Sequence, residues 1–113
     1  LESQLVDCVP VNFVRGLTFN DSVVIVDEAQ NLTKSEIVTI LTRFGANTKF
    51  MVIGDSNQSD IGAKTGFSPV VRCFNDRTSE KKGIFTFKFT EDDIVRSEIL
   101  RFIVKKLEKL KRD

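Results

Sequence analysis

The stretch VVIVDEAQN, residues 23–31, decides the fold expected for this chain. Its first four residues are β-branched and apolar without polar alternation, which is typical of a strand covered on both faces in a parallel sheet. The acidic residues Asp27 and Glu28 follow directly. Because open α/β sheets bind ligands beyond the carboxyl ends of their strands, the pattern predicts a ligand site at this sheet edge.

The acidic pair has two interpretations. A carboxylate after such a strand can hold Mg²⁺ through water while its neighbour polarises an attacking water, which is the Walker B arrangement. Acidic residues also follow ordinary core strands, where they begin a turn and the next helix. The Asp-Glu pair alone does not decide between these interpretations.

A second strand with a polar end strengthens the ligand-site interpretation. Residues 50–53, FMVI, form another apolar run, and GDSNQ follows at 54–58. The two strands and the helix expected between them make a βαβ unit, whose crossover is right-handed. Parallel neighbours end at the same sheet edge, so both polar segments are expected there.

The helix between the strands is predicted to span residues 33–44. Thr33 and Glu36 have the spacing of a capping box, and Gly45 is expected to end the helix. Apolar residues at helical spacing form the predicted buried stripe: Ile37, Val38, Ile40, Leu41 and Phe44.

Three segments resemble the PhoH-like ATPases, which are relatives of the superfamily 1 helicases. They are RGLTFNDSVVIVDEAQNLT at 15–33, GDSNQSD at 54–60 and FTEDDIVRSEIL at 89–100. The resemblance implies an α/β fold, part of a P-loop NTPase (RecA-like) parallel sheet flanked by helices. It also implies binding and hydrolysis of ATP with Mg²⁺, and RNA as an expected partner.

The resemblance assigns roles to the residues at the two strand ends. Asp27 becomes the Mg²⁺ carboxylate, and Glu28 becomes the base that orients water toward the γ-phosphate. Gln58 becomes the γ-phosphate sensor, since an amide both donates and accepts, or it caps its own loop. Asp55 would lie in the outer shell of the metal or cap its loop. Gln30 would link the nucleotide site to a nucleic-acid surface or face solvent.

Two arginines complete the expected site. Arg96 matches a family arginine near the nucleotide, where a guanidinium stabilises charge on the transferred phosphoryl group. The alternative for Arg96 is an ion pair with a neighbouring acidic residue. Arg15 matches another family arginine, assigned to nucleotide binding, or is a solvated charge before a turn. The chain departs from the family pattern at Leu17, where a second basic residue is usual, and at Gly62, where proline is common.

The phosphate-binding loop of P-loop proteins is missing from the sequence. No G-x-x-x-x-G-K-[ST] occurs, and GAKTG at 62–66 lacks the spacing and follows the second strand. The chain begins with Leu1 and its only methionine is Met51. We expect residues 1–113 to be the carboxyl-terminal portion of a single PhoH-like ATPase domain, a fragment without the Walker A half. Whether this chain alone is an enzyme stays open.

Composition narrows the class of protein. With 41% apolar and 29% charged residues and no apolar run of 18, the sequence predicts a cytoplasmic protein without a membrane partner. Cys8 and Cys73 lack C-x-x-C spacing and are expected to be reduced. The absence of histidine and of a cysteine cluster excludes a structural zinc site. A sheet cut through its middle would expose an apolar edge and face, so marginal stability is expected.

The remaining segments carry weaker signals. Residues 11–14 and 84–89 predict strands, with Phe85, Phe87 and Phe89 packed inward, and 75–82 predict a loop. A last helix is expected over 95–111, with Ile99, Phe102, Ile103, Leu107 and Leu110 on one face. Its lysines form a solvated face more readily than a nucleic-acid contact, since the net charge is only +1.

Two function classes follow from these observations. In the first, the chain is part of an ATPase that couples hydrolysis to RNA or another partner. In the second, it is a non-catalytic half-domain that binds a partner subunit. A homo-oligomer is compatible with both.

Overall fold

A two-stranded parallel sheet organises the fold. The computed structural model describes residues 5–93 and 95–110, and of Glu91 the backbone only. Strand β1 (Val23–Val26) pairs with β2 (Lys49–Val52) in parallel, with Val23 beside Lys49 and Val26 beside Val52. Helices flank the pair, so the described chain has the expected α/β class.

Helix α1 (Lys34–Leu41) connects the strands and begins at the predicted capping box. The Glu36 amide donates to Thr33 Oγ1 at 3.2 Å, and the Thr33 amide donates to Glu36 Oε1 at 2.9 Å. These two bonds satisfy amide groups that a helix start otherwise leaves without partners. The βαβ unit is therefore confirmed.

The predicted end of this helix is wrong. α1 ends at Leu41, three residues before Phe44, because the chain after it turns back to pair with the segment preceding β1. Gly45 lies in that crossing, where a Cβ atom would collide with the Phe19 carbonyl oxygen and the Asn20 side chain. Gly45 therefore permits a close backbone approach and does not cap the helix.

One face of the sheet is partly covered. Ile37 and Ile40 of α1 are buried, and helix α2 (Phe67–Phe74) packs against α1 and against the turn after β1. At the amino end of the sheet the Phe50 ring lies 6.0 Å from Phe19, between ring centroids. This small core fixes the positions of both strand ends.

The other face of the sheet is open in the described part of the chain. Val23 is 62% exposed and Ile25 is 59% exposed, and Met51 on the neighbouring strand is exposed as well. The expectation that β1 is covered on both faces is thus not met, whereas the expected exposed apolar face is present. An unpaired face of this kind limits the apolar area that folding buries.

Three predictions outside the βαβ unit are wrong. Residues 11–14 hold a 3₁₀ turn at Val11–Phe13, because Pro10 fixes its own φ at −62° and its carbonyl accepts from the Phe13 amide. The expected loop 75–82 contains helix α3 (Arg77–Lys81), capped by Asp76. Residues 84–89 form no strand. No described strand pairs with them, and their phenylalanines are exposed, Phe87 to 85%.

The last helix, α4 (Glu98–Leu110), starts three residues later than the predicted 95–111, and Lys111 lies outside the described residues. Its predicted apolar face is exposed, including Phe102 and Leu110. Cys8 and Cys73 are free thiols, as expected. Over residues 5–93 and 95–110, no helix has the length and apolar character needed to cross a membrane.

Candidate functional site

An open cleft lies where β1 and β2 end. It has a volume of about 430 Å³ and is formed by the residues that follow the two strands. We call it the strand-end cleft, and its lining consists of Asp27, Glu28, Gln30, Asn31, Ile53, Gly54, Asp55, Gln58 and Asp60. Parallel pairing brings both polar segments to one edge, as the sequence predicted.

The acidic pair forms one wall of the strand-end cleft. The Glu28 amide donates to Asp27 Oδ1 at 2.9 Å, and both side chains are exposed. Glu28 has a left-handed backbone with φ 55° and ψ 37°, which is costly for a residue with a Cβ atom. This turn directs the chain from β1 into the 3₁₀ turn Ala29–Asn31.

Gln30 lies behind the acidic pair and is only 2% exposed. Its Nε2 donates to Glu28 Oε2 at 2.8 Å, and its Oε1 accepts from the Asp55 amide at 2.9 Å. Both ends of the side-chain amide therefore have partners, one on each strand-end loop. The alternative in which Gln30 faces solvent is wrong.

The loop after β2 forms the opposite wall. Asp55 Oδ1 accepts from the Asn57 amide at 2.9 Å, so Asp55 caps the 3₁₀ turn Ser56–Gln58. The Gln58 amide donates to the Asp55 carbonyl at 3.1 Å, and Gln58 itself lines the cleft opposite the acidic pair. The predicted capping role of Asp55 is present together with its place in the cleft.

Two predicted site residues do not line the strand-end cleft. Arg15 is exposed in the turn before Gly16, next to the buried Val14. Arg96 is exposed just ahead of α4. The structure brings together Asp27, Glu28, Asp55 and Gln58 but neither arginine, and the roles of all six residues stay predictions.

Asn31 and Asp60 line the strand-end cleft, although the sequence did not identify them as site residues. Asn31 Oδ1 accepts from the Asp60 amide at 2.7 Å, which adds a second link between the two loops. Both residues stand in segments already singled out, DEAQN and GDSNQSD. Their position at the ends of these motifs was the only sequence signal for them. The hydrogen bond between them forms because the structure brings the two loops together.

The oxygen atoms that line the strand-end cleft could serve as ligands for a hard cation such as Mg²⁺. Among residues 5–93 and 95–110, no group of three or more His, Cys, Asp or Glu side chains is arranged to hold a metal alone. Mg²⁺ is commonly bound through one or two carboxylates, several waters and substrate phosphates. Asp27 can supply one such carboxylate, and the carboxylates and amide around it are hard oxygen donors.

Comparison with known protein families gives one match across most of the chain. The family model described as PhoH-like protein matches residues 1–108. The chain belongs to the PhoH-like protein family. The match includes both motifs that line the strand-end cleft, so the PhoH-like resemblance of the sequence is confirmed.

Individual PhoH-like relatives agree with this assignment. The chain is 38% identical to protein PhoH of Escherichia coli K12 over 96 residues, covering 83% of this chain and 26% of the relative. It is 32% identical to the PhoH-like protein of Mycobacterium tuberculosis over 106 residues, which are 92% of this chain and 29% of the relative. It is 30% identical to the PhoH-like protein of Bacillus subtilis over 111 residues, which are 96% of this chain and 34% of the relative.

The chain spans about a quarter to a third of the length of the curated PhoH-like relatives that it matches. No solved structure gives a significant match to it.

Proposed function

We propose that the strand-end cleft binds the phosphates of Mg²⁺–ATP and hydrolyses ATP, as part of a P-loop ATPase with a RecA-like fold. The observation that carries the proposal is the meeting of two carboxylates from the end of β1 with Gln58 from the loop after β2 in one cleft. Phosphoryl transfer needs mainly positioning and charge stabilisation, and these groups suit both tasks.

Each residue has a role that fits its chemistry. Asp27 holds Mg²⁺, which when bound neutralises charge on the phosphate oxygens. Glu28 orients the attacking water and accepts its proton, while Gln58 contacts the γ-phosphate. Asp55 keeps one carboxylate oxygen in its loop cap and lies in the outer shell of the metal.

Further groups of the proposed ATP site lie outside the strand-end cleft. The lysine and glycine-rich loop that cradle the β- and γ-phosphates come from outside these 113 residues. Arg96 reaches the transferred phosphoryl group from its own chain or from a neighbouring subunit in a homo-oligomer, and Arg15 contacts the nucleotide. RNA is the proposed partner to which hydrolysis is coupled.

The test compares Glu28→Gln with Glu36→Gln in the complete protein. We expect Glu28→Gln to lower the hydrolysis rate by about 10²-fold or more while ATP binding persists, because the amide cannot accept the proton. Glu36→Gln makes the same substitution in the capping box of α1, and this variant should hydrolyse ATP at the wild-type rate. Arg96→Ala should slow turnover as well.

Wild-type turnover by Glu28→Gln with ATP bound would refute the role of Glu28. Unchanged turnover by Arg96→Ala would refute the proposed contact between Arg96 and the transferred phosphoryl group. Steady-state phosphate release measures the hydrolysis rate, and equilibrium binding measures the affinity for ATP.

A second candidate function is supported by the open sheet face. The exposed apolar residues Val23, Ile25 and Met51 would suit a non-catalytic module that binds a partner subunit. If the complete wild-type protein neither binds nor hydrolyses ATP, this candidate becomes the better one.

A further inference from the structure

The buried side chain of Gln30 joins the two walls of the strand-end cleft and contacts Glu28, the expected base. We propose that Gln30 is a positioning residue that holds the Glu28 carboxylate in place and ties it to the loop after β2. The inference rests on the proposed function of the cleft, and it concerns a residue that need not touch ATP.

The chemistry of the two contacts requires an amide. Glu28 Oε2 is an acceptor and needs a donor, which Gln30 Nε2 provides at 2.8 Å. The Asp55 amide is a donor and needs an acceptor, which Gln30 Oε1 provides at 2.9 Å. An ionised carboxylate at position 30 would satisfy only the second partner, since it cannot donate.

The Gln30 side chain has little room to move. The backbone carbonyl oxygen of Gln30 accepts a hydrogen bond from Ser59 Oγ at 3.0 Å, so the backbone at Gln30 is anchored to the loop after β2. A Cβ atom at Gly54 would lie 3.0 Å from Gln30 Oε1 and 2.9 Å from Phe67 Cε2. Gly54 thus lies against both the Gln30 amide and the Phe67 ring, and burial makes the loss of either hydrogen bond costly.

This arrangement controls the orientation of an otherwise exposed carboxylate. Gln30 occupies Oε2 of Glu28, which leaves Oε1 to accept from a water in the cleft. The same amide contacts the Asp55 backbone, so a shift of the loop carrying Gln58 is passed to Glu28. A misplacement of about 1 Å in a reacting group can lower a rate by about 10²-fold.

The test uses Gln30→Glu, which keeps size and shape and the acceptor for the Asp55 amide, but replaces the donor to Glu28 with a carboxyl group that either repels Glu28 or shares a proton with it. In the complete protein we expect kcat for ATP to fall by about 10-fold to 10²-fold, while the affinity for ATP changes by less than about 3-fold. Exchange of the Asp55 amide hydrogen should stay as slow as in the wild type. Ser59→Ala is the matched control, since it removes the hydrogen bonds that Ser59 Oγ makes with the Gln30 backbone carbonyl and the Ile61 amide but leaves both contacts of the Gln30 side chain. Its kcat should stay within about 3-fold of the wild type.

Two results would overturn the positioning role. One is wild-type kcat in Gln30→Glu. The other is a loss of kcat in Gln30→Glu that is matched by fast exchange at Asp55 and by an equal loss in Ser59→Ala, because that pattern describes a structural contact only.

A spectroscopic measurement separates this inference from the proposed function. In NMR spectra recorded without nucleotide, the Gln30 side-chain amide hydrogens should shift and exchange faster in Glu28→Ala than in the wild type. Unchanged signals would refute the Gln30–Glu28 contact whether or not the protein hydrolyses ATP. Absence of hydrolysis in the wild type, with the NMR change present, would refute the ATPase proposal and retain the contact.

Discussion

Glu28 combines an exposed carboxylate with a backbone conformation that glutamate rarely adopts. A left-handed residue with a side chain costs of order 1–3 kcal/mol, and such residues cluster at functional sites. Here the cost is offset locally, because the Ala29 amide donates to the Ile53 carbonyl at 2.9 Å and Gln30 holds the side chain. Sequence reasoning identified the residue but not its conformation, since glutamate carries no signal for positive φ.

Gly54 is the residue whose replacement tests the packing behind the cleft. We expect Gly54→Ala to lower the free energy of unfolding by about 1–3 kcal/mol, because its new methyl group would press on the Phe67 ring and the Gln30 amide. Urea unfolding measures the change. The nearby exposed variant Ser56→Ala should differ from the wild type by less than about 0.5 kcal/mol. Equal stability of Gly54→Ala and the wild type would show that the Phe67 ring and the Gln30 amide move without cost to accommodate the added methyl group.

At the scale of elements, local signals predicted the parts of the chain that local chemistry determines. The apolar runs of β1 and β2 and the Thr33–Glu36 capping box gave correct element types. Residues 84–89 have the alternation of a strand, but a strand needs a neighbour, and the described residues offer none to them. The five-residue helix α3 was missed because its only signal is the cap at Asp76.

Helix α3 should be sensitive to acid. Asp76 Oδ1 accepts from the Ser79 amide at 2.7 Å. Hydrogen bonds from the side chain and then the backbone of Ser79 lower the pKa of Asp76 below its ordinary value of 3.8. Because the folded carboxyl is the stronger acid, its stabilising effect is present above the ordinary pKa and is lost as pH falls through the lowered value.

We expect the Ser79 amide to lose protection from hydrogen exchange as pH falls below 3.8 and through the lowered pKa of Asp76, because the cap protonates there. Asp76→Asn keeps a good N-cap without a titrating group and should remove this pH dependence. NMR-detected exchange across an acid titration measures both proteins. An identical acid transition in Asp76→Asn would mean that another group controls α3.

For the molecule as a whole, the apolar residues are divided between a small core and a large exposed set. Val14, Ala29, Ile37 and Ile40 are the buried apolar residues among those described. The radius of gyration is 17.3 Å, compared with about 13 Å for a compact domain of this size. The predicted marginal stability has its physical basis here, because few side chains contribute the hydrophobic free energy of folding.

Stability should therefore depend strongly on single core residues. Ile37 is 1% exposed, and we expect Ile37→Ala to lower the free energy of unfolding by about 2–5 kcal/mol, which is a large share of the total for a small domain. Ile25→Thr on the open sheet face should change it by less than about 0.5 kcal/mol and reduce self-association. Urea unfolding and light scattering measure these effects. Similar losses in both variants would show that the open face is covered in solution.

The links across the strand-end cleft also determine when the site can form during synthesis. The side-chain hydrogen bonds that join its two walls connect residues 25 to 29 positions apart, from Gln30–Asp55 to Asn31–Asp60. Closing so long a loop is entropically costly and is repaid only when β1 and β2 pair. A nascent chain that has not yet reached Asp60 already contains both carboxylates that follow β1, but it has no cleft in which they could act.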